Sequence, residues 1–337
     1  MKSPENKRPL PKVVGSASEK EKDAFSKKVA GFFGENHLKD FKPEIIDEIK
    51  SLEFAKEDFE VRTIEVSNLI INSLLKEFNL DTFDIPARNV HILPNDLFRK
   101  IRGSSSTNSG FTDYRGQFIG INKNFTTSKI ILSNVIFHEM LHLCSCTAFA
   151  LTDDGYSSSY RTGLGVSSVG RKRKELGHIK YFEGLLEAVN TEIETKYTPE
   201  LIRLNSYLEG ENNWQNSEEI TELKKQIATK NQIPVENILW LNPENKEINL
   251  AGYPEPREVL NYIVDSIYED NKEKFNSKEE AMKLFFKAHF NGNLLEIGRL
   301  VEKSFGEGSF RILGMMNTDT NSVRQTKDYF FRKKRKK

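Results

Sequence analysis

The stretch from Lys129 to Cys144 is apolar on nearly every side of a helix, yet it reads Phe137-His138-Glu139-Met140-Leu141-His142 at its centre. A helix that is apolar all round belongs in a core. Imidazoles and a carboxylate are costly to bury there unless they have partners. The spacing supplies a use for them. Residues i and i+4 share one helix face, so His138 and His142 can turn their rings to one metal ion. Glu139 lies about 100° further round, where its carboxylate reaches a water on that metal rather than the metal itself. Zinc accepts imidazole and carboxylate donors and lowers the pKa of a bound water to about 7. The segment is therefore expected to be a buried helix, N-capped by Thr126, Thr127 or Ser128. It should hold one zinc per chain through His138 and His142, with Glu139 as general base. The plainer alternative is a core helix whose histidines hydrogen-bond to their neighbours.

A hydrolytic zinc site needs a third protein ligand and one open position. Tyr181-Phe182-Glu183-Gly184-Leu185-Leu186-Glu187-Ala188 opens a helix-compatible run that continues through Ile193, with Glu183 and Glu187 at i and i+4. Together with the upstream histidine motif, this run resembles the gluzincin group of zinc metallopeptidases, the thermolysin-like clan. The resemblance covers roughly residues 60–200. It is specific at the first motif and looser at the second, where Phe182 and Leu186 replace the group's asparagine and small polar residue. It implies Glu183 as the third ligand and Glu187 as the carboxylate that orients a histidine ligand from behind. It also implies an α+β, zincin-like fold: a small mixed or antiparallel sheet, an active-site helix bearing the motif, and a predominantly helical C-terminal half. In this group the edge strand before the metal helix pairs with extended substrate, and residues 117–121 are the candidates for it. The implied activity is zinc-dependent hydrolysis of peptide bonds in a peptide or protein.

Two other readings compete. Leu176-Gly177-His178-Ile179-Lys180-Tyr181-Phe182 looks like the element that supplies a third histidine in SprT-like, DNA-associated proteases, which would make His178 the ligand. An inactive zincin-like interaction module is the other, although an intact Glu139 argues against it. Asp153 and Asp154 sit in a turn-like Thr152-Asp153-Asp154-Gly155 and are weaker ligand candidates. The metzincin pattern fails, because its glycine and third histidine positions hold Ser145 and Ala148. Tyr156, Tyr160, Arg161 and His178 are candidates for contact with an oxyanion or with substrate.

With 37% hydrophobic residues and 29% charged among 337, the chain can build a core, and its net charge of +1 selects no partner. No apolar run approaches the length of a membrane-spanning helix. The segment Met1 to Pro9 lacks the apolar core of a secretory signal. Cys144 and Cys146 are too close in sequence for a good disulfide, which points to a reduced, cytoplasmic setting. The expected organisation is a disordered tail over 1–20, a catalytic domain with N-terminal helices over 21–200, a helical region over 201–322, and a basic tail over 323–337. Arg332 to Lys337 would suit nucleic acid or an anionic surface. Among local signals, Val61 to Phe78 reads as an amphipathic helix with Leu69 on its apolar list. Phe111 to Tyr114 and Gln117 to Ile121 read as a hairpin. Ser277 and Glu280 form a capping box, and Asn291-Gly292 stops the helix that follows.

Overall fold

A computed structural model describes residues 8–34, 38–103, 108–168, 179–250 and 252–334. In chain order its elements are β1 (Lys12–Val14), α1 (Glu19–Gly31), α2 (Pro43–Leu52), α3 (Asp58–Glu77), β2 (Val90–Leu93), α4 (Asn95–Arg102), β3 (Gly110–Asp113) and β4 (Phe118–Asn122). Then come α5 (Lys129–Cys144), β5 (Thr147–Leu151), β6 (Ser157–Thr162), β7 (Gly165–Ser167), β8 (Lys180–Tyr181), α6 (Glu183–Leu204), α7 (Glu209–Gln215) and α8 (Glu218–Asn231). The remainder is β9 (Ile238–Leu241), β10 (Ile248–Leu250), α9 (Pro254–Asp270), α10 (Lys278–Asn291), α11 (Leu295–Phe305), α12 (Ser309–Met315) and α13 (Thr320–Lys334). The fold is mixed α+β, mostly helical, with small sheets, as expected. Its division is not. In place of consecutive domains over 21–200 and 201–322, the chain forms two interleaved compact units. One comprises Met1–Pro9, Val29–Leu143 and Glu194–Gly252; the other comprises Leu10–Lys28, Cys144–Ile193 and Tyr253–Lys337. The divisions fall at the end of α5 and inside α6.

The first unit holds a three-stranded sheet in the order β2-β4-β3, with β2 parallel and β3 antiparallel to β4. The expected hairpin is present as β3 and β4. However, β2 pairs with the far side of β4, so 117–121 cannot be the edge. The edge on the hairpin side is β3. α2 and α4 pack on this sheet through Ile49, Leu97 and Phe98 against Leu93, Phe111 and Phe118. His91 stacks on Phe118 at 4.2 Å and places Nδ1 2.8 Å from Glu53. Burial holds His91 below its ordinary value, more than Glu53 can offset. α3 buries Ile64, Val66, Ile70, Ile71, Leu74 and Leu75, whereas Leu69 is 59% exposed, contrary to expectation. Leu69 lies between positions that face inward, on the helix's outer side.

Glu57 and Glu60 form a reciprocal cap at the start of α3, and the fully buried Glu60 also meets the Lys123 ammonium at 2.7 Å. Thr63 binds Ser133 at 2.8 Å and receives the Asn205 amide at 3.0 Å, which ties α3 to α5 and to the end of α6. A smaller cluster of Ile220, Ile227, Ala228, Ile238 and Leu241 joins α8 to β9.

The second unit has a five-stranded mixed sheet in the order β1-β5-β6-β7-β8. β1 lies within the stretch expected to be disordered, but Lys12 to Val14 pair in parallel with Ala148 to Ala150. Pairing with β5 orders a strand too short to order itself. α9 to α13 supply the helical part, with Val259, Leu260, Ile263, Phe285, Phe305 and Phe330 in its core. α9 begins with Pro254 at its first position, Ser277 caps α10, and Gly292 ends α10 in the left-handed conformation. The expected boundary at 322/323 falls inside α13. Phe330 is fully buried against Phe305 at 4.8 Å, and Phe331 stacks on Tyr262 at 4.0 Å. A helix face with two aromatic residues is structure, not tail. Of the cationic run, Arg332 and Lys333 are exposed, while residues 335–337 lie outside the described residues. Among the described residues no helix is long and apolar enough to cross a membrane.

Candidate metal centre

The start of α5 is held from two sides. Ser128 caps it by accepting the amide of Ile131 at 3.1 Å. Glu211, distant in sequence, accepts the Ser128 hydroxyl at 2.5 Å and the Lys129 amide at 2.9 Å. A carboxylate there satisfies orphan N–H groups and complements the helix dipole. Ile136, Phe137, Met140, Leu141 and Leu143 are fully buried, so the helix cannot turn about its axis without exposing some of them.

With the axis fixed, His138 and His142 bring their Nε2 atoms to 3.1 Å. Two nitrogens bound at ~2.05 Å to one tetrahedral zinc would lie about 3.3 Å apart. The Nδ1 of His138 is 2.9 Å from a carboxylate oxygen of Glu194. An Nδ1–H donor to that carboxylate fixes the tautomer and leaves the Nε2 lone pair directed at His142.

Glu194 belongs to α6, and the contact sets a register. Thr198 donates to Asn134 at 3.0 Å, one turn earlier on α5 and one turn later on α6. Advancing four residues on α5 thus means retreating four on α6, so the two helices run antiparallel here. They meet through a line of polar side chains within otherwise apolar surfaces. Glu187 lies two turns before Glu194, on the same face of one continuous helix. Among the described residues, His138, His142 and Glu187 form the group able to hold a metal ion, with their ligating atoms all within 4.8 Å of one another. Two imidazoles and one carboxylate are a donor set that fits hydrolytic zinc.

Glu183, the third ligand implied by the resemblance, is not in that group. It is the first residue of α6, and its carboxylate meets Lys180 at 2.5 Å. Phe182 just before it has φ of 60°, which starts the helix abruptly and sets Glu183 beside β8. The sequence neighbours of Glu187, by contrast, are buried: Leu185, Leu186, Ala188 and Val189. Glu187, not Glu183, is thus the α6 carboxylate that lies with the two histidines, and Glu194, not Glu187, is the one beside the far nitrogen of His138. Glu187-Ala188 is a glutamate–small pair just as Glu183-Gly184 is. The periodic polar line Glu187, Asn190, Glu194 and Thr198 was the signal that separates them.

Glu139 is buried, and its Oε2 lies 2.8 Å from the Thr112 hydroxyl on β3. That hydroxyl is also 3.0 Å from the backbone oxygen of Glu139. Gly110, two residues earlier on the same face of β3, comes so close that a Cβ there would sit 2.7 Å from Glu139 Cγ and 2.9 Å from Oε1. Sequence reasoning passed over Gly110, Thr112, Glu194 and Glu211. Only Glu194 had a local signal.

The remaining candidates are scattered. His178 lies outside the described residues. Tyr160 and Arg161 are half-buried on β6, and Tyr156 is exposed in the preceding turn. The Arg161 guanidinium donates to the carbonyl of Gly292. Asp153 and Asp154 are exposed in a turn, bonded to Ser16 and Thr152 respectively. Cys144 is buried and Cys146 partly so, and neither belongs to the metal-capable group. Among protein-family models, curated proteins and solved structures, none matches this chain.

Proposed function

We propose that this protein is a zinc-dependent hydrolase of peptide bonds, of gluzincin type, with His138, His142 and Glu187 as its ligands. The observation that carries this reading is the convergence of two histidine Nε2 atoms at 3.1 Å, with a glutamate in the same cluster and a second carboxylate on one histidine's far nitrogen. A structural zinc site is closed by four protein ligands, whereas three leave a place for water or substrate. A purely structural site has no use for a buried carboxylate at Glu139.

Zinc bound here would supply a Lewis acid for the scissile carbonyl and a water of lowered pKa. The chain's own residues do the rest. Glu139 accepts a proton from the attacking water as its oxygen bonds to the carbonyl carbon. Glu139 then delivers that proton to the leaving nitrogen as the C–N bond breaks. Glu194 holds His138 in one tautomer and one orientation throughout.

The test is metal content together with hydrolysis of fluorescently labelled casein. The parent should bind one zinc per chain and cleave. Glu139→Gln should keep the zinc and lose about 10²- to 10⁴-fold in rate, since an amide cannot take the proton. Well-folded, metal-replete protein without zinc would defeat the proposal. If His178→Ala empties the site while Glu187→Ala leaves it full, the SprT-like reading replaces it.

A further inference from the structure

The edge strand β3 does more than lie beside α5. Its residues 110 and 112 alternate onto the face that meets Glu139, one with no side chain and the other with a hydroxyl. The Thr112 hydroxyl has a single proton and two acceptors within reach, the Glu139 carboxylate at 2.8 Å and the Glu139 backbone oxygen at 3.0 Å. The carboxylate is the stronger acceptor, because it carries charge. Thr112 therefore engages Oε2. Gly110 leaves room for Cγ and Oε1, which any Cβ at that position would strike.

We infer that Thr112 is a positioning residue for the general base, and that Gly110 permits the rotamer it holds. The two residues make the oxygens of Glu139 unequal. Oε2 is tethered to the sheet, and Oε1 is the oxygen that takes and returns the proton. This rests on the reading of Glu139 as the base. A carboxylate fixed before substrate arrives loses no orientation in the transition state, and a misplacement of about 1 Å costs on the order of 10²-fold in rate.

The experiment compares crystal structures of zinc-loaded parent, Thr112→Val, Thr112→Ser and Gly110→Ala, together with their kcat and KM on labelled casein. Thr112→Val keeps the shape and removes the hydroxyl. Its Glu139 carboxylate should leave the parent position while zinc content and melting temperature hold, and kcat should fall about 10- to 100-fold with KM little changed. Thr112→Ser should restore both carboxylate and rate. Gly110→Ala should displace Glu139 by a different route and lower kcat as well. A carboxylate unmoved in Thr112→Val, or a kcat equal to the parent's, overturns the inference. If the parent binds zinc but hydrolyses nothing, the proposed function falls, and the crystal structures alone decide whether Thr112 positions Glu139.

Discussion

At the scale of single residues, the site turns on which glutamate does which task. Glu183 pairs with Lys180 at a helix start, and the pair is exposed enough to contribute little to stability. Glu187→Ala should therefore empty the zinc site, and Glu183→Ala should leave it nearly full. Equilibrium dialysis against a chelator of known affinity separates the two. Equal losses in both variants would remove Glu187 from the ligand set. Glu194→Gln keeps a hydrogen-bond acceptor for His138 but removes the charge, and it should weaken zinc about 10- to 100-fold. A second residue-scale effect involves His91. Its native pKa lies below the ordinary 6.5, so the unfolded chain binds more protons than the native one as pH falls through 6.5. Stability should fall over that window and stop falling once the native group also titrates. Glu53, lowered by its bonds to His91 and Lys56 although burial opposes this, adds a loss at lower pH still, below its ordinary 4.5. His91→Gln should flatten the upper part of the profile, as read from urea midpoints at pH 5 to 7. A profile unchanged by the substitution would show that other groups set it.

At the scale of elements, α5 shows what a sequence makes legible and what it hides. Its apolar flanks, the i, i+4 histidines and a cap among Thr126, Thr127 and Ser128 could all be read from adjacent residues, because each signal lies within two turns; the structure selects Ser128. Glu211 could not be read, since it reaches the same helix start from a different element. Glu211→Ala should lower stability by about 0.5–2 kcal/mol, the usual range for a lost cap. Thermal unfolding of metal-free protein measures this without interference from zinc. For α6 the sequence showed a helix with acids on one face but not its register against α5. That register depends on pairs such as Asn134 with Thr198, which nothing local announces. The sheet divides in the same way. The two short runs Phe111 to Tyr114 and Gln117 to Ile121 marked the β3–β4 hairpin, whereas the parallel pairing of β2 with β4 is non-local, and it decides which strand is the edge. β1 and α13 were hidden for a related reason. β1 is only three residues long and α13 carries its aromatic residues on an otherwise polar helix, and what orders them is a strand or a set of aromatic rings elsewhere in the chain.

At the scale of the whole molecule, metal and fold should be linked. A ligand that binds only the native state at a hundred times its dissociation constant adds ~2.7 kcal/mol. Chelation should therefore lower the melting temperature, and adding zinc back should restore it. A melting temperature indifferent to both would mean that zinc does not bind the native state. The C-terminal helix belongs to this scale too. Phe330→Ala should cost about 3–5 kcal/mol, and a chain ending at Asp328 should be destabilised to a similar degree. If that truncated chain melts with the parent, Phe330 and Phe331 do not matter as their burial implies.

The interleaving of the two units bears on how this chain is made. Neither unit is a continuous stretch, so neither can be finished while synthesis is still within it. The first waits for residues 194–252 after its own residues 29–143, and the second waits for the helices beyond residue 252. The two histidines emerge well before Glu187 and Glu194. During that interval a nearly all-apolar helix has none of the polar partners on α6 that later meet it. Chain closures over such separations slow folding and leave sticky surface exposed. The nascent chain is thus most vulnerable to aggregation between the synthesis of α5 and that of α6, and that interval is where a chaperone would have most to do.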